Sequence, residues 1–485
     1  MEEGALKDRV ERVHDEIDKE VIRRHSNRVL HGHPSPMLWL DQDVPVEAVM
    51  EDRRTTRRVF PTRLSLYVAT PYCLPTKPDR CGFCLFPSEV YQSQQQLDVY
   101  LRYLTREGDM YRRFFENDQP SSVYFGGGTS NLYKAGQYDR LLGIVRQVFA
   151  KLAPGTEITL EGIPQLFTKE KLVAMKGAGV TRISIGAQQL ADDMIKMSGR
   201  KQKAEQVLQA IAWCHDLGLR SSVDLIFGWP RQTVEGMLKD LESIVHAGVG
   251  HITHYELNVA GRTDFARNHR AELPSPHDNL VMYRASSEYL REHGYLQATT
   301  YDWEKTGADR LHYEEHWRRR FTGGDGDGVM AAETWAWGFA GVSVFPGTPQ
   351  SPGWSYMNCR RVDEYFARLD QGRFPVERGF HYTSKDLGLT VLFQMLQCLS
   401  VDLELYEKVF GANLLDEYEY IWQALQERGW VKVSQRELAL VGDGVFYTSL
   451  IQGLLAAERL EEMRKVKFSS LARRGAESAH ALEVV

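Results

Sequence analysis

The sequence predicts an α/β fold built on parallel strands, followed by a mainly helical, winged-helix-like C-terminal domain. Three observations carry this. From about Arg63, short β-rich runs alternate with amphipathic helical runs. Gly or Pro sits near most of the helix ends, as stop signals should. After about Tyr301 the rhythm gives way to a Gly- and Trp-rich segment and then a helical tail.

The strand-like runs are LSLYVAT, SSVYFGG, EITLEGI, TRISIGA, SSVDLIFG and HITHYEL. Between them lie helical patterns such as YDRLLGIVRQVFAKLA, AEQVLQAIAWCHDLG and TVEGMLKDLESIVHAG. Six strand–helix repeats imply parallel strands with right-handed crossovers. A doubly wound sheet and a full or partial barrel both satisfy that pattern. In either, function belongs at the C-terminal ends of the strands, where the motifs below fall. Residues 1–60 read as a charged, helical extension with a break at HGHPSP, and 61–300 as the repeats. Residues 301–380 read as an elaboration closing the active site, 381–470 as the C-terminal domain with strand-like WVKVS and LALVGD, and 471–485 as a disordered tail.

The 485 residues are 43% hydrophobic and 26% charged, enough for a substantial core. A formal charge of -6 argues against a general nucleic-acid binder. No run of about 18 apolar residues occurs, so no membrane span is expected. The N-terminus MEEGALKDRVERVHDEIDKEV lacks an apolar signal core, which predicts a cytoplasmic, reducing location. Nothing in the sequence argues against a monomer. The six cysteines in so long a chain do not make a disulfide scaffold.

Three of them crowd one stretch, LYVATPYCLPTKPDRCGFCLF, as Cys73, Cys81 and Cys84. Pro71, Pro75, Pro78 and Gly82 mark this as a loop after the first strand, a poor place for plain core thiols. A structural zinc wants four ligands, and no His lies between Cys73 and Cys84. A [4Fe–4S] cluster held by three thiolates keeps one iron open for a ligand.

These residues, with VYFGGGTSNLY, ITLEGIP, RISIGAQQL…SGRKQ, VDLIFGWPRQT and GFAGVSVFPG in order, resemble the radical S-adenosylmethionine (SAM) superfamily and its HemN-like group, the oxygen-independent coproporphyrinogen III oxidase and relatives. The resemblance runs from about Arg63 to at least Gly347. It implies a partial (β/α)6 TIM-like barrel. It implies that Cys73, Cys81 and Cys84 bind a [4Fe–4S] cluster whose open iron holds SAM, and that reductive cleavage yields a 5′-deoxyadenosyl radical. The family spacing is three residues and then two. Here the first gap is seven, CLPTKPDRC, so the surroundings of the cluster should differ.

By the same resemblance Phe83, Gly126, Gly127, Gly128, Thr129, Glu161, Gln188, Arg200 and Asp224 surround SAM. The glycines allow close backbone approach, Thr129 offers a hydroxyl, and Arg200 suits a carboxylate. Tyr67 matches a tyrosine near the cluster. Phe321, Thr322 and the run Val342 to Phe345, with Val344 in it, match the segment that holds a second SAM in the oxidase, which has a glutamine at Thr322. Tyr255, Glu256 and His254, at the end of the sixth strand, are candidates to move a proton, although only one face of that triplet can reach a pocket.

The oxidase start predicts a histidine where Ala69 stands and a fourth cysteine where Leu85 and Phe86 follow Cys84. Coproporphyrinogen oxidation is disfavoured accordingly. A haem chaperone would carry an HNxxYW-like motif; HYEEHW keeps only His312 and Trp317, and His312 with His316 also reads as a surface pair. What remains is C-methylation, methylene transfer or cyclopropanation on a specialised small molecule, with one or two SAM molecules. Skeletal rearrangement or oxidation with one SAM is the alternative. Trp335, Trp337 and Trp354 suggest a pocket for an aromatic or flat apolar substrate, or else packing between barrel and tail. A flavodoxin or ferredoxin would suit as electron donor.

Overall fold

The computed structural model describes residues 2–23, 32–41, 44–56, 61–153, 155–259, 261, 263–308, 321–323 and 329–483, with side chains described from 4 to 467 within these. The motif HYEEHW lies outside the described residues.

In chain order the strands are β1 Thr62–Thr70, β2 Tyr72–Cys73, β3 Glu89–Val90, β4 Ser122–Gly127, β5 Glu157–Gly162 and β6 Arg182–Gln188. Then come β7 Arg220–Phe227, β8 His251–Glu256, β9 Tyr295–Gln297, β10 Asp302–Lys305, β11 Phe321–Gly323 and β12 Val329–Trp337. The last are β13 Val342–Gly347, β14 Pro352–Asn358, β15 Val376–His381, β16 Ser400–Asp402, β17 Val431–Val433 and β18 Glu437–Leu440.

The six strand-like runs become β1, β4, β5, β6, β7 and β8, paired in parallel in that order. This is the expected partial barrel. Helices fill the crossovers, with starts where the sequence places caps. Ser93 and Gln96 form a capping box for Gln94–Phe115, and Thr168 and Thr233 accept the first-turn amides of Lys169–Ala178 and Val234–His246.

Alternation along each strand sorts the side chains. Leu64, Leu66, Val68, Val123, Phe125, Ile158, Leu160, Ile183, Ile185, Val223, Leu225 and Ile252 all join the apolar core beneath the helices. The opposite, inner face is polar: Ser65 meets Ser122 at 2.8 Å, Ser222 donates to Ser184 at 3.2 Å, and Arg220 pairs with Glu157 at 3.4 Å.

The strand pattern does not end at Tyr301. The Gly- and Trp-rich segment supplies β12, which adds to the free edge of β1 in parallel, and β13, β14 and β15 follow antiparallel. Trp335 and Trp337 are fully buried there, packed with Phe115, Phe149, Tyr111 and Phe345. Trp354 stacks on His381 at 4.5 Å. Trp335 and Trp337 are packing residues, but they pack against Phe115, Tyr111 and Phe149 of the barrel's helical layer and not between barrel and tail.

β16, β17 and β18 form a small sheet beside the helices Ser384–Gln397, Leu403–Phe410 and Glu419–Glu427, the winged-helix-like unit. The last helix, Thr448–Glu483, continues across the stretch that the sequence assigns to a disordered tail. The N-terminal helices are integral to the fold. Arg428 donates to Asp18 at 2.7 Å, His33 Nε2 meets Asp386 at 3.2 Å, and Arg53 reaches Glu333 and Asp118. Among the described residues no helix is long and apolar enough to cross a membrane.

Candidate active site

β1 ends at Thr70 and the chain turns through Pro71 into β2, which carries Cys73 and pairs in parallel with β3 beyond the loop. The returning loop is compact. The Cys81 amide donates to Thr76 Oγ1 at 3.0 Å, and the Cys84 amide donates to the Arg80 carbonyl at 3.0 Å. Arg80, Cys81 and Gly82 all adopt left-handed backbone, with φ of 53, 56 and 72°. That run turns the chain sharply, so Cys81 and Cys84 come back toward Cys73.

All three thiols are partly buried. Burial raises the pKa of Cys73, as do Cys81 and Glu161 beside it, although hydrogen bonds with Thr129 and Ser88 oppose the shift. Burial likewise pushes Cys84 up to about 11, and both Cys81 and Cys73 add to the effect. The three sulfurs thus share one space. Among the described residues no three His, Cys, Asp or Glu side chains stand close enough to hold a single metal ion. A four-iron cube spreads its terminal sulfurs over different irons, so it does not require the three thiols to converge on one point. Cys214 and Cys359 are buried elsewhere in the core, and Cys398 caps the helix Ser384–Gln397 of the C-terminal unit, which leaves a donor set of three. These residues fit a [4Fe–4S] cluster with one iron free of protein ligands.

The glycines of the β4 exit lie against this loop. A Cβ on Gly128 would stand 2.5 Å from the Tyr72 carbonyl and 3.0 Å from that of Thr70. The Gly128 amide donates to Thr70 O at 2.7 Å and the Thr129 amide to Tyr72 O at 2.9 Å. Gly127 and Gly128 therefore let the backbone beside Cys73 approach, a contact the sequence reading did not foresee. A Cβ on Gly126 would meet Tyr67 Oη at 2.8 Å and Glu161 Oε2 at 2.9 Å. Tyr67 stacks on Tyr124 at 5.8 Å, and Tyr124 donates to Glu161 at 3.4 Å. Burial, then the Glu161 carboxylate, raises the Tyr67 phenol well above its ordinary pKa, so it stays protonated.

At the end of β6 the register shifts between Gly186 and Gln188, and Gln188 takes a φ of 67°. Arg200 donates to the Gly186 carbonyl at 2.6 Å and points Nη1 at Cys81 Sγ, 3.8 Å away. Asp224 accepts from Ser184 at 3.4 Å and shares the inner face with Tyr255 through Ile226. Phe83 packs on Trp229 and Phe265, with ring centroids at 5.2 and 6.0 Å. Trp229, in the GWP turn after β7, and Phe265 escaped the sequence reading; an aromatic just past a strand end is the signal that could have found the first.

Two candidates are not brought in. Glu256 lies on the face opposite Tyr255 and accepts from Asn279 at 2.6 Å. His254 shares that face, 4.9 Å from Phe227, and burial depresses its pKa to about 3. Phe321 is buried against Phe410 of the C-terminal unit. Val344 is partly buried, opposite Thr334 of β12. A surface cleft of about 650 Å³, lined by Glu89, Gln96, Arg361 and Phe366 among others, meets this region only through Tyr72.

A sequence profile of the Radical SAM superfamily matches residues 78–244, starting inside the enlarged loop and after Cys73. The chain is 32% identical over 260 residues to the radical S-adenosyl methionine domain-containing protein 1 of Bos taurus, covering 53% of this chain and 58% of that one. It is 26% identical over 369 residues to the oxygen-independent coproporphyrinogen III oxidase of Helicobacter pylori (73% and 76%). It is 24% identical over 401 residues to the heme chaperone HemW of Bacillus subtilis (81% and 99%). The solved coproporphyrinogen III oxidase (HemN) of Escherichia coli superposes with a TM-score of 0.74 at 20% identity, over 88% of this chain and 96% of that one, which shows the fold. Residues 78–244 thus match the Radical SAM superfamily, and most of the chain is similar to proteins of the HemN-like group.

Proposed function

We propose that the chain cleaves SAM reductively and uses the outcome for C-methylation or methylene transfer, cyclopropanation included, on a specialised small molecule, with a second SAM as the one-carbon source. Likeness to the superfamily implies the [4Fe–4S] cluster and SAM. The observation that carries the reading is the closure of Cys73, Cys81 and Cys84 on one space beside Gly126, with Tyr67 and Glu161 aimed at it. When bound, the reduced cluster supplies the electron that splits SAM into methionine and a 5′-deoxyadenosyl radical.

The chain's own residues would do the rest. The three cysteines hold the cluster. Glu161, with Tyr124 and Tyr67, orients an ammonium or ribose hydroxyl at Gly126. Gln188, Arg200 and Asp224 line the neighbouring strand ends, and the aromatic floor of half-buried Phe83 over buried Trp229 and Phe265 keeps water out beneath the loop. Tyr255 is the one member of the β8 triplet on the inner face and is the candidate to hold a proton near substrate. Phe321 and Val344 remain the residues nominated for a second SAM. A flavodoxin or ferredoxin would deliver the electron. Ala69, where the oxidase start predicts a histidine, supports a reaction other than coproporphyrinogen oxidation.

Anaerobic reconstitution with iron and sulfide, then dithionite and SAM, tests this by mass spectrometry. 5′-Deoxyadenosine is expected, with S-adenosylhomocysteine beside it if a methyl group moves. An intact cluster that yields neither product removes SAM cleavage from the reading. A second reading, haem delivery, is supported by the match along 99% of the heme chaperone HemW of Bacillus subtilis; a haem titration that gives no Soret shift would dismiss it.

A further inference from the structure

The enlarged loop needs an anchor. Two of its non-glycine residues, Arg80 and Cys81, hold left-handed backbone, which L side chains adopt only at a cost. Its four extra residues also add freedom that folding must remove. The structure supplies an anchor at the β6 exit. Gly199, at φ 68°, lies so close to Lys77 that a Cβ there would stand within 3 Å of the Lys77 amide nitrogen and nearer still to its carbonyl. The next residue, Arg200, commits all three arms of its guanidinium to protein groups. Nε donates to Gln202 Oε1 at 2.8 Å, Nη2 to Gly186 O at 2.6 Å, and Nη1 faces Cys81 Sγ at 3.8 Å. Gln202 is itself buried, and its amide donates to the carbonyls of Ala187 and Gln189, so the fork is held from behind.

We infer that Arg200 is a positioning residue that clamps Cys81 of the enlarged loop and, through its N–H and positive charge at that sulfur, raises the reduction potential of the cluster. This rests on the cluster reading above and goes beyond it, since the resemblance assigns Arg200 to the carboxylate of SAM. The physical ground is general. One-electron reduction adds negative charge to the cluster, and a cation hydrogen-bonded to a ligating sulfur favours the reduced form. A guanidinium fixed by two other acceptors pays little further entropy to hold that geometry.

The test uses the full chain with Arg200→Gln and Arg200→Lys. In the apoprotein, hydrogen exchange of residues 74–84 is expected to quicken about tenfold in Arg200→Gln, the size of one lost charge-assisted hydrogen bond, while the strands of the barrel stay as protected as before. After reconstitution, with iron and sulfide counted, the midpoint potential from an EPR-monitored titration should fall in Arg200→Gln. Arg200→Lys should lie between, because it keeps the charge and loses the fork. SAM affinity is measured on the same samples. An unchanged potential and unchanged loop exchange, with weakened SAM binding, would overturn the inference and return Arg200 to the SAM carboxylate. If the wild-type chain takes up no iron, the cluster reading fails by that count, and the exchange experiment still decides the clamp.

Discussion

Replacing Glu107 by glutamine should remove that residue's share of a fall in stability expected between pH 5 and pH 8, to which the buried Asp240, also raised to about 7, contributes separately. Glu107 sits in the helix Gln94–Phe115 and is fully buried. It accepts from the Gly338 amide at 2.6 Å, Tyr365 Oη at 2.6 Å and Asn358 Nδ2 at 2.7 Å. It therefore ties that helix to the end of β12, to β14 and to the helix Val362–Asp370. Burial raises its pKa from the ordinary carboxylate value of 4.5 to about 7, with the three hydrogen bonds opposing only part of the shift. The folded chain thus keeps a proton that the unfolded chain releases above pH 4.5. Between the two values the unfolded state binds fewer protons, so stability drops as pH rises. At 1.36 kcal/mol per pH unit, the full loss is roughly 3 kcal/mol. Glutamine is neutral throughout and should lose about 1 kcal/mol at pH 5, for one hydrogen bond made less well. By pH 8 it should equal or exceed the wild type. Urea denaturation at both pH values, followed through the fluorescence of Trp335 and Trp337 in the same core, reads the difference. A wild-type-minus-variant stability that stays constant or grows with pH would refute the reasoning.

Three further outcomes follow from the same contacts. Arg53→Met strands the buried Glu333 and Asp118 carboxylates that Arg53 holds at 2.5 to 2.9 Å; it should cost about 3–5 kcal/mol in urea denaturation, and a loss under about 1 kcal/mol would show that the network contributes little. Gly128→Ala pushes a methyl group into the Tyr72 carbonyl; overpacking of about 1–3 kcal/mol should lower melting temperature and iron retained per chain, and unchanged values of both would remove the close-approach argument. Cys81→Ala should abolish cluster uptake on reconstitution, and full iron content in that variant would sink the three-cysteine assignment.

How much of this was legible in the sequence depends on whether the signal was local. The six parallel strands were readable because each alternates: in SSVDLIFG, Val223, Leu225 and Phe227 go to buried apolar packing while Asp224 turns inward. The same alternation separates Tyr255 from Glu256, and the sequence reading stopped short of choosing between them. β12 was not readable. Its pairing with β1 joins Tyr67 to Ala336 across the chain, and no local pattern announces such a partner. Glu107 and Arg53 were missed for the same reason. A charged residue on a helix looks solvated until distant strands supply its partners.

The cysteine loop combines both cases. Its spacing was visible, and so was its departure from the family, yet nothing local says why seven intervening residues can replace three. Loop-closure entropy is not the obstacle: going from three to seven residues costs about 0.7 kcal/mol. The harder requirement is direction, because a longer loop must still deliver Cys81 and Cys84 to Cys73. The left-handed run Arg80–Cys81–Gly82 solves this by reversing the chain immediately before the short Cys81-to-Cys84 spacing. Everything from Cys81 onward can then keep the family's geometry, and the profile match beginning at residue 78 fits that division. The strain of that turn is met by Thr76 at the Cys81 amide, by Gly199 against Lys77 and by Arg200 at the sulfur. The insertion and its anchor thus form one unit, and a shorter loop grafted in its place should leave Arg200 free to turn toward the ligand.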